Sequence, residues 1–189
     1  MAEFCSIVML TYRKGSFNRR EIAEKSIRSL LECTTFPYEL ILVDNTENNR
    51  GLSAGRNYGA SLATGDYVAI ADDDILFFNG WLEECIEMLK QGDTYLATPV
   101  WQQNIGKWEL PPVNGWRNNY RTGSNCMVMR RSTFNDVGLF PSYAERGLKY
   151  DSAKTGKAYA NMITKKGYTF LITKERRAMD MGLVGHSYL

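Results

Sequence analysis

Three short apolar runs, each ending in polar or acidic residues and each followed by a stretch of helical period, constrain this chain more than any other feature. Cys5-Ser-Ile-Val-Met-Leu-Thr11, Glu39-Leu-Ile-Leu-Val-Asp44 and Asp66-Tyr-Val-Ala-Ile-Ala71 are nearly continuous apolar segments of strand length. That pattern marks strands buried on both faces of a parallel sheet. Between the first two, Ile22, Ala23, Ile27, Leu30 and Leu31 recur at helical spacing over 19–32. A second helix is expected over 53–63, with Gly55 and Gly59 on one face where another backbone can approach closely, closed by Thr64-Gly65. A third is expected over 80–90, presenting Trp81, Leu82, Cys85, Ile86 and Leu89. Parallel strands joined by helices are right-handed in nearly all cases, so residues up to 90 read as a Rossmann-like α/β half.

The remainder is patterned differently. Strands are expected over 94–100, 124–129 and 168–173 and a helix over 157–166, with Ser132 capping a short helical turn and Val137-Gly-Leu-Phe-Pro141 forming another. Between them, 102–121 is a long polar and aromatic stretch with Trp108, Trp116, Pro111 and Pro112, preceded by Trp101. With 189 residues, no repeat and no linker, the reading is a single α/β domain with a central, mostly parallel sheet flanked by helices. About 1–100 form its first half and about 101–189 its second.

Composition narrows the chemistry. His186 is the only histidine, which excludes multi-histidine zinc sites. A net charge of +2 is too small to mark a dedicated nucleic-acid binder. Cys5, Cys33, Cys85 and Cys126 lie far apart, as free thiols in a reducing compartment do. No segment has the roughly 20 apolar residues of a spanning helix, and the first residues lack a basic leader, so a soluble, cytoplasmic protein is expected.

In an open parallel sheet, ligands bind beyond the carboxyl ends of the strands. Thr11-Tyr12-Arg13, Asp44-Asn45 and Asp72-Asp73-Asp74 are delivered to that edge. Three successive carboxylates repel one another unless a cation or donors neutralise them. In an extended segment Asp72 and Asp74 point the same way and can share a ligand such as Mg²⁺ or Mn²⁺, which favour oxygen donors. The alternative is a solvated acidic turn before the third helix.

The ordered blocks Ser6-Ile-Val-Met-Leu-Thr-Tyr-Arg13, Glu39 to Asn45, Gly51-Leu-Ser-Ala-Gly-Arg-Asn57, Gly65 to Asp74 and Gly80-Trp-Leu-Glu83 resemble the family 2 glycosyltransferases of the GT-A fold. The likeness is strong over 4–90. It continues more weakly through Gly123-Ser-Asn-Cys-Met-Val-Met-Arg-Arg131 and Val137-Gly-Leu-Phe140. The resemblance implies inverting, metal-dependent transfer of a sugar from a nucleotide-sugar donor, usually a UDP-sugar, with Mn²⁺ or Mg²⁺ as cofactor. It implies donor contacts for Thr11, Tyr12, Arg13, Asp44, Arg56, Asn57, Asp72 and Asp73. It also implies metal contacts for Asp74, Asp72 and His186, with Asp74 the direct ligand and Asp72 nearer the ribose or the metal's waters.

The family's catalytic base belongs to a Glu-Asp pair about a dozen residues after the Val-Gly-x-Phe turn. This sequence has Tyr150-Asp151 there, so Asp151 is the expected base and Glu145 the reserve; the competing role for Asp151 is a helix cap. Counting back from Gly167-Tyr168 lands instead on Thr155-Gly156, which an insertion after Asp151 reconciles. Lys174, Arg176 and Arg177 are expected either to neutralise diphosphate, if the tail folds over the donor, or to form an exposed basic cluster. Trp101, Trp108 and Trp116 are expected either to stack an acceptor, a saccharide or a hydroxylated nucleobase in DNA, or to anchor their loop.

Other classes fit less well. A sugar-nucleotide pyrophosphorylase needs a Gly-rich loop after the first strand, an aspartyl phosphatase wants Thr or Val where Ile75 stands, and no GxxxxGK[ST] phosphate loop is present. A catalytically inert nucleotide-sugar-binding module is the remaining alternative.

Overall fold

The computed structural model describes residues 2–12, 18–48, 50–99, 117–118, 125–141 and 152–181. In chain order these form β1 (Cys5–Thr11), α1 (Asn18–Cys33), β2 (Tyr38–Asp44), α2 (Leu52–Ser61), β3 (Tyr67–Asp72), β4 (Ile75–Phe77) and α3 (Trp81–Lys90). There follow β5 (Tyr95–Thr98), β6 (Arg117–Asn118), β7 (Cys126–Arg130), α4 (Arg131–Val137), α5 (Ser152–Lys165), β8 (Thr169–Ile172) and β9 (Ala178–Asp180).

The main sheet has the order β2-β1-β3-β7-β5-β8-β6, and β4 pairs with β9 in a small second sheet. β1 is parallel to β2 and β3, as the apolar runs predict, and every residue of β1 is buried. Alternate side chains of this strand enter two cores. Ile7 and Met9 pack with Leu30, Trp81, Leu82 and Met88 on the face of α1 and α3. Val8 and Leu10 pack with Val43, Ala60, Phe134, Phe140 and Tyr159 on the face of α2, α4 and α5. The indole of Trp81 donates to Thr34 Oγ1 at 2.8 Å, which satisfies its buried N–H.

Gly55 and Gly59 let the backbone of α2 settle directly on the sheet. A Cβ at Gly55 would lie 2.5 Å from Leu10 Cδ1, and one at Gly59 would lie 2.3 Å from Val8 Cγ1. What approaches these glycines is the side-chain layer of the strands, and any larger residue would push the helix away from the edge it serves.

The structure departs from the sequence reading in several places. β2, expected to be buried on both faces, lies at the edge of the sheet, where it is only partly buried and Leu42 is exposed. β7 runs antiparallel to β3 and β5, a direction that its apolar run does not encode. Helix α4 begins at Arg131, with Arg130 at the N-cap and no side-chain cap, so Ser132 lies inside the helix. Helix α5 begins at Ser152, five residues before its expected start at 157. Thr155 and Gly156 lie inside this helix, with Thr155 fully buried and its hydroxyl 3.2 Å from Ser53 Oγ. Tertiary contact here overrides the low helix propensity of Gly156. The short strands β4, β6 and β9 were not expected; at two or three residues each they leave no periodic signal.

Candidate functional site at the carboxyl edge of the sheet

The register places Thr11 beside Asp44 and Leu10 beside Asp72, so β1, β2 and β3 end at one edge. The Asn45 N–H donates to Thr11 O at 2.9 Å and ties the first two strand ends together. Beyond them lies a cleft of about 340 Å³, lined by Leu10, Tyr12, Arg19, Asn45, Leu52, Asp72, Asp73 and Asp74.

The three aspartates meet three different environments. β3 ends at Asp72, and Asp73 and Asp74 form a turn into β4. The strand alternation that would aim Asp72 and Asp74 alike therefore stops before Asp74. Asp72 turns to the α2 face and pairs with Arg56 through Oδ1 and Nη2. Arg56 is 1% exposed, its Nε and Nη1 have no hydrogen-bond partner among the described residues, and its guanidinium lies 5.3 Å from the Phe140 ring centre.

Asp73 is buried. It accepts the Tyr12 N–H at 3.0 Å and Arg19 Nη2 at 3.2 Å, while Arg19 Nε donates to Tyr12 O at 3.0 Å. Burial raises its pKa, and the Tyr12 N–H and Arg19 offset part of that rise. Asp74 has no compensation of this kind. Burial first, then the charges of Asp72, Asp180 and Asp73, push its carboxyl up to about 7, with Arg19 only partly opposing. Among the described residues its backbone carbonyl accepts the Met181 N–H at 2.7 Å, and no side chain bonds its carboxylate.

The remaining expected donor residues divide. Thr11 is buried at the end of β1, with its Oγ1 unpartnered, and Tyr12 lines the cleft. Asp44 is exposed and accepts the Thr46 N–H at 2.8 Å, closing a tight turn. Asn57 sits next to Arg56, but its amide holds the Phe140 backbone in both directions at 2.9 Å, which engages the side chain with the protein itself. Arg177 is not held ready for a diphosphate. Its Nε pairs with Glu84 at 2.8 Å and its Nη1 donates to Asn79 O at 3.0 Å, at the far end of β4 from Asp74. Arg13, Glu145, Asp151, His186, Trp101, Trp108 and Trp116 lie outside the described residues.

Three site residues, Arg19, Asn125 and Asp180, were missed by the sequence reading, and Asn45 was placed at this edge without a role. Arg19 and Asn45 line the cleft, and Asn45 Oδ1 accepts the Arg50 N–H at 3.0 Å to shape the loop before α2. Asn125 accepts the Asp72 N–H through its carbonyl at 2.7 Å, and its Nδ2 donates to Asp180 Oδ2 at 2.6 Å. Asn45 and Asn125 had a signal, since each adjoins the end of an apolar run. Arg19 and Asp180 had none, because the first depends on a loop path and the second on a three-residue strand.

Among the described residues no three acidic, histidine or cysteine side chains converge to hold one ion. The donor set that is present, one or two carboxylates in a region crowded with negative charge, fits Mg²⁺ or Mn²⁺, which complete their shells with substrate phosphates and water. No helix among the described residues is long and apolar enough to cross a membrane.

Known proteins share these features. The fold matches solved structures of GT-A type at low sequence identity. One is GalNAc-T7 with UDP, GalNAc and Mn²⁺, with a TM-score of 0.73 and 14% identity over 93% of this chain and 42% of that one. Another is the mannosyltransferase PcManGT from Pyrobaculum calidifontis with GDP-Man and Mn²⁺, with a TM-score of 0.67 and 14% identity over 94% of this chain and 56% of that one. Among curated sequences it is similar to the glucosyl-dolichyl phosphate glucuronosyltransferase of Haloferax volcanii, 32% identical over 117 residues, covering 50% of this chain and 34% of that protein. It is also similar to the Bacillus subtilis glycosyltransferase YwdF, 29% identical over 109 residues, covering 47% of this chain and 39% of that protein. The chain thus spans well under half the length of either relative. The Glycosyl transferase family 2 model matches residues 45–140, half of the chain, from Asn45 through Asp72-Asp73-Asp74 to Phe140. With its GT-A fold and the aspartate turn at the carboxyl edge of its sheet, the chain belongs to glycosyl transferase family 2.

Proposed function

We propose that this chain carries the donor site of an inverting glycosyltransferase that moves a sugar from a nucleotide-sugar, a UDP-sugar, to a hydroxyl acceptor. The observation that carries the reading is the unequal treatment of three consecutive aspartates. Asp72 is held by Arg56 and Asp73 by Tyr12 and Arg19, whereas Asp74 is crowded by like charge and, among the described residues, no cationic side chain bonds it. A divalent cation, Mn²⁺ or Mg²⁺, supplies Lewis-acid neutralisation of the leaving diphosphate when bound. Asp74 is its direct ligand in this chain, Asp72 faces the ribose or the metal's waters, and His186 completes the set.

Tyr12, Arg13, Thr11 and Asp44 take the nucleoside at the ends of β1 and β2, where the cleft lies. Asp73 acts through Tyr12, by fixing its loop. Asp151 removes the acceptor proton, with Glu145 in reserve. In the sequence Asp151 comes directly before the first residue of α5, Ser152. Trp101, Trp108 and Trp116 stack the acceptor.

The test is release of nucleoside diphosphate from a panel of UDP- and GDP-sugars, with and without Mn²⁺, then transfer to saccharide and hydroxylated-DNA acceptors. Mn²⁺-dependent release supports the reading. Binding without release under any acceptor would make this an inert nucleotide-sugar module, and no binding at all would sink the donor site.

A further inference from the structure

One cluster beneath the cleft is not explained by packing alone. Arg56 is almost fully buried, yet two of its nitrogens lack hydrogen-bond partners among the described residues. Burying unmatched guanidinium donors carries a cost that an apolar residue of similar size would avoid. What an apolar residue cannot do is hold Asp72, and Arg56 does so from inside the protein. Its support is Phe140, 2% exposed, whose ring lies 5.3 Å from the guanidinium in cation–π range. Phe140 is itself immobilised. Asn57 clamps its backbone N–H and C=O, and its ring stacks on Tyr159 at 3.8 Å and 20°. The Tyr159 hydroxyl donates to Gly138 O at 3.1 Å, and Ser53 Oγ donates to Pro141 O at 2.8 Å.

We propose that Arg56, Asn57 and Phe140 are positioning residues for Asp72, forming a buried relay that fixes this carboxylate from the turn at Phe140. The relay gives the adjacent Arg56 and Asn57 separate tasks. Arg56 orients the carboxylate, and Asn57 orients the ring under Arg56. It also joins the donor edge to α5 through Tyr159, so that one turn sets both. The inference rests on the donor reading of Asp72 given above.

The test is calorimetric binding of UDP with Mn²⁺ to the full chain carrying Arg56→Met, Arg56→Lys, Phe140→Leu or Phe134→Leu. Phe134 belongs to the same core cluster and serves as the control for general loosening. Binding is expected to weaken about tenfold or more in Arg56→Met, the scale of a charged hydrogen bond, with partial recovery in Arg56→Lys. Phe140→Leu is expected to weaken it about three- to tenfold, the scale of a cation–π contact, and Phe134→Leu less than about twofold. Should Arg56→Met fail to fold, Arg56→Lys and Phe140→Leu decide. Equal effects of Phe140→Leu and Phe134→Leu would overturn the relay. If the unaltered chain binds no UDP with Mn²⁺, the donor reading fails, and the relay is judged by a double-mutant unfolding cycle between Phe140→Leu and Asp72→Asn. Coupling between them keeps the relay, and additivity ends it.

Discussion

Two acidic clefts of similar size lie at opposite ends of the small β4–β9 sheet, and Glu83 and Glu84 in one are treated in the opposite way to Asp74 in the other. The cleft of about 360 Å³ beside α3 is lined by Glu83, Glu84, Glu87 and Glu175 with Lys174, Arg177 and Gly80. Glu84 accepts the Lys174 N–H at 2.6 Å and Arg177 Nε at 2.8 Å. Glu83 accepts the N–H groups of Thr35 and Phe36 and the Thr35 hydroxyl. Burial alone would raise the Glu83 pKa, but these donors carry it below the ordinary value. At the other cleft the same kind of burial, with like charges in place of donors, lifts Asp74 to about 7. Carboxylates whose charge is met by the protein hold the fold together; one whose charge is left unmet marks a place for a cation from outside.

That contrast breaks most visibly at its two centres. Asp74→Ala is expected to lower Mn²⁺-dependent transfer roughly a hundredfold to a thousandfold while the chain stays folded. Full activity in this variant would remove Asp74 from the site. Glu84→Gln is expected to do the reverse. It leaves Arg177 with a neutral partner in a mostly buried position and lowers stability by about 1–3 kcal/mol in urea unfolding, with UDP binding unchanged. Loss of UDP binding in folded Glu84→Gln would mean that the two clefts are not separate in role.

The sequence made the first of these centres legible and hid the second. Three apolar runs ending in polar residues place the edge, because the buried β1 and β3 have little choice of direction or depth and β2 pairs in register alongside β1, although as an edge strand it is only partly buried. Asp72-Asp73-Asp74 stands out because uncompensated charge beside an apolar run has few structural uses. What compensates a charge, however, comes from elsewhere in the chain. Arg56 reads as one basic residue in a helix, and nothing local shows that its guanidinium turns inward to Asp72. Arg177 reads as part of an exposed basic tail, and only the pairing of β9 with β4 brings it to Glu84. The early start of α5 was hidden for the same reason, since the burial of Thr155 against Ser53 outweighs the helix-breaking tendency of Gly156.

The pH dependence sharpens the contrast next. With its pKa raised from the ordinary 3.8 to about 7, Asp74 keeps its proton in the folded chain where the unfolded chain has lost it. The native state thus binds more protons between these values, so this group's contribution to stability falls as pH rises from about 4 to about 7 and then levels off. Two outcomes follow for thermal melts of the metal-free protein. Asp74→Asn should melt higher than the unaltered chain at pH 8, and the two should converge at low pH. Added Mn²⁺ should raise the melting temperature of the unaltered chain more at pH 8 than at pH 6, because binding requires the ionised carboxylate. A Mn²⁺ effect independent of pH would show that Asp74 is not the group that meets the ion.

The smallest expected effect concerns Asp180, which Asn125 holds beside the aspartate turn. Its charge adds to the rise at Asp74, after burial and after Asp72. Asp180→Asn keeps the size of the side chain and removes only that charge, so the pH midpoint for Mn²⁺ binding should move downward while binding at pH 8 changes little. Glu175→Gln, in the other cleft, should leave the midpoint where it is. A midpoint that responds to Glu175 as much as to Asp180 would mean that Asp74 senses the net charge of the whole protein, and the contrast between a met and an unmet carboxylate would lose its local basis.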